Sequence, residues 1–421
     1  MGRLLRGVVS AAILMAPGLV QGQEMITGMM QFGNETKQTA GAGTIHSRNA
    51  PSMFYNPANL SLIEGLGVYT EFGVMSYKYS YEYPGYKPFD LDMIMPSGFL
   101  GVSGKIGRRF NLSGMVLPIP AGVAKKRFEN IPIRFIGENP SLLGVKISVG
   151  SGYIGALAGS YELVDDVWSV GATVLRNETN MDMEMYDGEV NAEDKILAAS
   201  TNMIHNQYIF GTRLDLRRKL SVAASYKPSG TTRTRFTSRN RGGSSTVGES
   251  EGPVTTTLGA ELTYFRKMQP FAEFHHIAYR STGDKATMFG MDMEKIMGMS
   301  SNQEVNTRDT VNSIFGSRYY VGRGSEIVGA FGWYPANVGD GSLPDYNEEE
   351  KYIQGPMLGD VNSIDRSVYA LGYNLKSFEQ ATAGYGASYT TGKRSVPESS
   401  PGYGEYKIEQ IQITAYLSVD M

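Results

Sequence analysis

From residue 409 to 419 every second position is apolar: Ile411, Ile413, Ala415, Leu417 and Val419, with Gln410, Gln412, Thr414 and Ser418 between them. A period of two puts successive side chains on opposite faces of a β-strand, so one face here suits lipid and the other a polar interior. The split recurs upstream. Tyr369, Leu371, Tyr373 and Leu375 oppose Arg366, Ala370, Gly372 and Asn374; Leu258, Ala260, Leu262 and Tyr264 oppose Gly259, Glu261 and Thr263; Trp168, Val170, Ala172 and Val174 oppose Ser169, Gly171 and Thr173. No period of 3.6 survives across these stretches, so helices do not fit.

Six short polar turns join such runs, at 107–110, 164–167, 216–219, 265–268, 322–325 and 376–379, and much longer Gly-, Asn- and acid-rich connections separate the resulting hairpins. Tight turns at one end and long loops at the other are the threading of a transmembrane β-barrel. The pattern predicts strands at 66–80, 98–107, 111–123, 152–163, 168–180, 204–215, 220–236, 254–264, 269–280, 311–321, 326–335, 366–375, 380–391 and 407–419. Fourteen is even, as closure with both ends on one side requires. The stretch around His275-His276 disturbs the alternation and suggests a bulge. A soluble β-sandwich or propeller competes less well, since neither alternates short turns with long loops in this way.

Composition adds the compartment. Arg3 and Arg6, the apolar stretch 7–16 and the small-residue site Val20-Gln21-Gly22 read as a secretory signal peptide spanning 1–22. No later apolar run is long enough for a spanning helix. Mean hydropathy of −0.24 is compatible with a barrel, whose apolar residues hide at alternate positions. The chain has no cysteine, which excludes a lipid-anchored N-terminus, disulfides and thiolate metal sites. A net charge of −3 gives no reason to expect nucleic acid. The 26 tyrosines suit the aromatic girdles where lipid meets water.

A barrel of fourteen strands leaks unless something fills it, since sixteen to eighteen strands already leave an aqueous channel. Residues 23–65, small and polar, precede the first strand and are expected to form that plug, ahead of a barrel domain at 66–421. Within them, Ala40-Gly41-Ala42-Gly43 and the run Asn49-Ala50-Pro51-Ser52-Met53-Phe54-Tyr55-Asn56-Pro57-Ala58-Asn59-Leu60 resemble the hatch of the long-chain fatty-acid outer-membrane transporters, the FadL type. Relatives in that family pass aromatic hydrocarbons. The family's Asn-Pro-Ala hatch motif falls on Asn56, Pro57 and Ala58. Pro57 fixes its own φ and pushes Asn56 out of the helical region, giving a stiff corner from which the amide can bond inside the lumen. Leu117-Pro118-Ile119-Pro120-Ala121-Gly122 is similar to the family's kinked third strand, whose break opens the wall sideways. Pro118 and Pro120 each lack a ladder donor, so this strand must gap or bulge, with Gly122 at the end of the kink. The runs at 211–226 and Leu343-Pro344-Asp345 are similar too. The C-terminal Val419-Asp420-Met421 departs from the aromatic ending usual in such barrels.

Candidate ligand contacts are Phe54, Met291, Met293, Arg233 and Arg235. Methionines cluster at Met181, Met183 and Met185 and at Met288, Met291, Met293, Met297 and Met299, and flexible thioethers suit an outer hydrophobic landing groove. Loop packing and a copper(I) site are the alternatives, and no metal is expected. Arg233, Arg235, Arg239 and Arg241 share the parity of inward-facing Lys227 and could fork a carboxylate. The favoured alternative places them at the outer rim against lipid phosphates, because Pro228 and Gly230 can reset the register. Inward charges at Arg213, Glu261, Glu273, Arg318 and Arg366 are expected to pair across the lumen. The acidic loop 340–350 reads as solvated. Gly150-Ser151-Gly152-Tyr153-Ile154-Gly155 matches a dinucleotide fingerprint by letters only, since no helix follows it.

The expectation is therefore a monomeric, non-enzymatic barrel of the Gram-negative outer membrane, without cofactor, in contact with outer-membrane lipid and lipopolysaccharide. As the resemblance implies, it passes hydrophobic small molecules passively, long-chain fatty acids first, with lateral exit at the kinked third strand. The alternatives are an aromatic-hydrocarbon transporter and a surface receptor or structural barrel that transports nothing.

Overall fold

The computed structural model describes residues 33–85, 88–119, 125–133, 141–187, 195–216, 219–238, 245–265, 267–279, 308–322, 324–337, 364–378, 381–396 and 404–420. They form one closed antiparallel barrel of fourteen staves. These are β1 (Leu66–Glu82), β2 (Phe89–Ile106), β3 (Phe110–Ile119, continued by Lys125–Ile133), β4 (Ser141–Val164), β5 (Trp168–Asp187), β6 (Lys195–Leu216) and β7 (Leu220–Lys227, continued by Thr231–Ser238). There follow β8 (Ser245–Glu251 and Val254–Leu262), β9 (Met268–Ala278), β10 (Thr310–Gly322), β11 (Ser325–Tyr334), β12 (Arg366–Phe378), β13 (Ala381–Val396) and β14 (Gly404–Asp420). Each stave pairs with its neighbours in sequence, and β1 pairs with β14 from Gly67↔Asp420 to Glu82↔Glu405, so the sheet has no first or last edge. Closure pairs each stave on both sides over at least part of its length, and pairing between strands is the condition for crossing a membrane with them.

The predicted parity holds. Phe72, Leu157, Leu258, Leu371 and Ile413 lie exposed on the outer face, while Gln412, Thr414, Glu261, Thr173 and Asn374 are buried within. Two sequence expectations need correction. Strand β9 runs through His275-His276 without a register shift, pairing His275 with Thr257 and Asn312. The alternation survives there because His275 turns inward and bonds Glu273 at 2.7 Å. The tyrosines also divide between two roles. Tyr385 and Tyr264 face outward as expected, but Tyr77, Tyr79 and Tyr81 are buried on the inner wall. They pack in one cluster with Tyr406 and Ile408 across the β1–β14 seam.

Several staves extend beyond their predicted ends, most of all β2, β4 and β6, which start about ten residues early. Most outward positions of those extensions are polar, among them Asp90, Asp92, Lys146, Ser148, Ser200 and Asn202, with Ile94 an exception, so the lipid-facing alternation that marks a strand in sequence is weak there. The bulge between Val149 and Gly152 breaks the parity of β4 as well.

Ahead of β1, the chain folds into two short helices, α1 (Asn34–Gln38) and α2 (Gly43–His46), and two 3-10 turns, Ala50–Phe54 and Pro57–Leu62. Pro57 stands in the first turn of the last of these, and Asn56 caps it by accepting the Ala58 N–H at 3.1 Å. Hydrogen bonds from this segment reach β1, β3, β5, β6, β8, β9, β10, β12 and β14. Only a segment inside the cylinder can touch walls on all sides.

Candidate functional site

The luminal segment meets the wall in two chemically different ways. On the β8–β12 side the contact is ionic. Glu261 is fully buried and lies 3.1 Å from Arg48, 3.5 Å from Arg318 and 3.7 Å from His46. Glu273 accepts the backbone N–H groups of Thr44 at 3.2 Å and Ile45 at 3.0 Å, the first turn of α2. Arg318 donates to Nδ1 of His46, which keeps that imidazole neutral. Arg213 is held by Asp215 on its own strand and donates to Ile45 O at 3.0 Å. Glu35 accepts from the Arg48 backbone N–H at 2.6 Å. The inward charges foreseen in sequence are thus tied chiefly to the segment and to near neighbours. Arg366 instead sits over the Tyr334 ring at 5.6 Å. Lys37 pairs with Glu71 of β1, which also receives the Tyr69 hydroxyl at 2.9 Å.

This burial shifts the segment's own ionisable groups. Desolvation pushes the Glu35 carboxyl up and the Lys37 ammonium down, against the pull of their partners. His46 lies well below the usual histidine range, first through burial and then through the positive charges of Arg318, Arg48 and Arg213.

Toward β2–β5 the contact is apolar. Met53, Phe54, Leu60 and Ile63 pack with Phe99, Met115, Ile154 and Leu175, and Leu117 lies against the cluster. Phe54 meets Phe99 edge to face at 5.9 Å, and Phe99 meets Tyr69 at 5.6 Å. The candidate contact Phe54 is therefore buried in this cluster.

The Asn56-Pro57-Ala58 corner fills a slot made by two glycines. Gly171 of β5 and Gly211 of β6 face each other across the ladder. A Cβ on Gly171 would come within 2.5 Å of Pro57 C and 2.6 Å of Ala58 N, and one on Gly211 within 1.9 Å of Asn56 Oδ1. Only residues without a Cβ allow the motif to come this close. Asn56 then donates to Thr44 O at 3.2 Å and to Thr212 O at 3.1 Å. The sequence carried the motif, but nothing in it linked these two distant glycines to it.

Beside the apolar cluster the wall parts. The β2–β3 ladder runs only from Ile106↔Phe110 to Gly101↔Met115. Among the described residues, β2 from Phe89 to Leu100 is then paired with β1 alone, and β3 from Val116 to Ile119 with β4 alone. Pro118 lies on one lip of this opening, paired with Tyr153. Pro96, which sequence reading overlooked, lies in β2 on the other. A proline in each flank suits strands that leave a partner, because neither can donate a ladder bond. Pro120 and Gly122 lie outside the described residues, as do Met291, Met293, Arg239, Arg241, the acidic loop 340–350, Leu343-Pro344-Asp345 and residues 1–32.

Arg233 and Arg235 are exposed, whereas Thr232 and Thr234 are buried. The interruption at Pro228-Ser229-Gly230 thus reverses the parity of β7, and the inward carboxylate fork is replaced by an outward position.

Known structures share this architecture. A FadL homologue of Pseudomonas aeruginosa is 12% identical, with a TM-score of 0.57 over 92% of this chain and 98% of that one. The toluene transporter TodX of P. putida is 12% identical, with a TM-score of 0.59 over 93% and 98%. The toluene transporter TbuX of Ralstonia pickettii is 11% identical, with a TM-score of 0.54 over 93% and 98%. The chain has the FadL fold. No protein-family model matches its sequence, and no curated protein does either. At such identities the likeness to FadL-type barrels is one of fold, over nearly the whole length of each chain.

Proposed function

We propose that this chain is a passive outer-membrane channel for hydrophobic molecules, with residues 23–65 acting as a hatch in the barrel. The observation that carries the reading is the opening between β2 and β3, backed by the Phe54–Phe99–Met115 cluster. An apolar surface behind a break in a lipid-embedded wall offers a poorly soluble molecule a path that avoids water. Cargo entering from outside would pass the buried tyrosines of β1, displace the apolar edge of the hatch, and leave sideways past Pro118 into the bilayer. Long-chain fatty acids are the leading class and small aromatic hydrocarbons the next. The solved barrels of this fold, described as a FadL homologue and as toluene transporters, support the general class. Nothing in the proposal consumes energy, so the gradient is maintained by capture downstream.

The test is chemical. Protein purified in detergent is extracted, and bound compounds are identified by mass spectrometry. An acyl chain or aromatic compound in near-stoichiometric amount, depleted in Phe54→Asn, is the expected result. A wild-type protein that carries no hydrophobic compound and takes none up when offered would contradict the reading.

A further inference from the structure

Strands β5 and β6 continue far beyond the bilayer. Strand β5 has 20 residues, where about 9–11 cross the hydrocarbon. On its outer face the last apolar residue is Val174, paired with Tyr208 of β6. The next outward row across β5, β6 and β7 is Arg176, Asn206 and Thr231; then come Glu178, Ile204 and Arg233, then Asn180, Asn202 and Arg235, then Asp182, Ser200 and Thr237. Apart from Ile204, the change from apolar to polar falls at one level in adjacent strands, as a lipid boundary does.

The upper two rows line an open cavity of about 110 Å³, formed by Asn180, Asp182, Ser200, Asn202, Arg235 and Thr237 with Met181 and Thr201 between them. Six residues of strand at about 3.3 Å each, tilted by roughly 40°, put the Asn180 row about 15 Å above Val174. A phospholipid headgroup layer is only about 5–8 Å deep on each side of the hydrocarbon. The cavity therefore stands at the height of sugars rather than of lipid phosphate.

Its chemistry agrees with that height. Asn202 donates to Asn180 Oδ1 at 2.8 Å and to Glu178 Oε1 at 3.2 Å, which fixes the direction of its amide. Two amides, the hydroxyls of Ser200, Thr201 and Thr237 and the Asp182 carboxylate offer mixed donors and acceptors to sugar hydroxyls. The Arg235 guanidinium offers a planar fork to an anionic substituent.

We infer that this cavity binds an anionic saccharide of the glycolipid surrounding the barrel in the outer leaflet, with Arg235 holding the anionic group. The inference rests on the outer-membrane placement proposed above. The experiment is native mass spectrometry of the full-length purified protein, titrated with lipopolysaccharide carrying its core saccharide and, separately, with lipid A alone. Arg235→Ala should weaken retention of the core-bearing form about tenfold, the scale of one charge-assisted hydrogen bond, and leave lipid A retention unchanged. Arg235→Lys, which keeps charge and loses the fork, should fall between. Unchanged retention of the core-bearing form in a folded Arg235→Ala protein would overturn the site, and equal loss of both lipids would reassign Arg235 to lipid phosphate. A wild-type protein with no hydrophobic cargo would remove the proposed transport and leave this site standing.

Discussion

Gly171→Ala is the sharpest perturbation of the proposed hatch. Its added Cβ meets Pro57 C at 2.5 Å, Ala58 N at 2.6 Å and Pro57 O at 2.7 Å, all backbone atoms that cannot rotate away. Overpacking of this kind costs about 1–3 kcal/mol. The cost falls on docking alone, because alanine is the better strand residue and the empty wall tolerates it. At 1.4 kcal/mol per tenfold, the ratio of docked to released hatch drops by about 5- to 150-fold. A released hatch leaves a fourteen-stranded cylinder, which is wide enough to conduct ions. In planar bilayers the wild type should be almost silent, whereas Gly171→Ala should show frequent openings, with β-rich circular dichroism unchanged. Gly211→Ala should act more weakly, since Asn56 Oδ1 at 1.9 Å is a side-chain atom that can turn, at the loss of the Ala58 cap and the Thr212 bond. Combined with Asn56→Ala, its effect should be smaller than the sum of the two. Folded Gly171→Ala barrels as silent as wild type would refute the close-approach reasoning.

Other outcomes follow from the same geometry. Glu261→Gln takes from the buried Arg318 the nearer of its two carboxylates, leaving Glu326 at 3.8 Å, and removes the Glu261 pair of Arg48; it should lower stability by about 3 kcal/mol in a denaturant titration, with Glu261→Met/Arg318→Met recovering most of it. Pro118→Val with Pro120→Val should restore ladder bonding and reduce hydrophobic uptake while assembly, read by circular dichroism, persists; unchanged uptake would remove lateral exit. Deleting residues 24–60 should give a steadily conducting pore. His46 is held neutral in the docked state and has an ordinary pKa of about 6.5 when released. Its contribution is therefore intact above pH about 6.5 and is lost as pH falls below it, as the released state takes up a proton first. Glu35, shifted up, acts with opposite sign, its contribution being present below the ordinary carboxylate value and lost as pH rises through its raised value in the docked state. Acidification from pH 7 to 5.5 should increase channel openings in wild type but not in His46→Asn.

Within the lipid belt the barrel was legible because one face must be apolar and the other polar, so Ile411, Ile413 and Leu417 announce a strand against Gln410, Gln412 and Thr414. Above the belt water lies outside the wall, the constraint lapses, and β4 and β6 extend unannounced through residues such as Lys146 and Asn202. Pro228 and Gly230 marked where parity could change, yet only the ladder shows that it does. The tyrosines at 77, 79, 81 and 83 were visible as an alternating run, but composition alone favoured the girdle over the inner wall. Asn56-Pro57-Ala58 was recognisable as a corner, whereas its glycine slot depends on Gly171 and Gly211 meeting across strands, which no local pattern encodes. Pro118 pointed to a break in β3. Its counterpart Pro96 was missed because β2 was expected to begin at 98.

The most direct measurement is transfer of labelled solutes across reconstituted protein, comparing a long-chain fatty acid and toluene with a polar sugar of similar size. Protein-dependent entry of a hydrophobic solute without entry of the sugar is the predicted result. Entry of the sugar with no hydrophobic transfer would make this barrel a general pore and contradict the account.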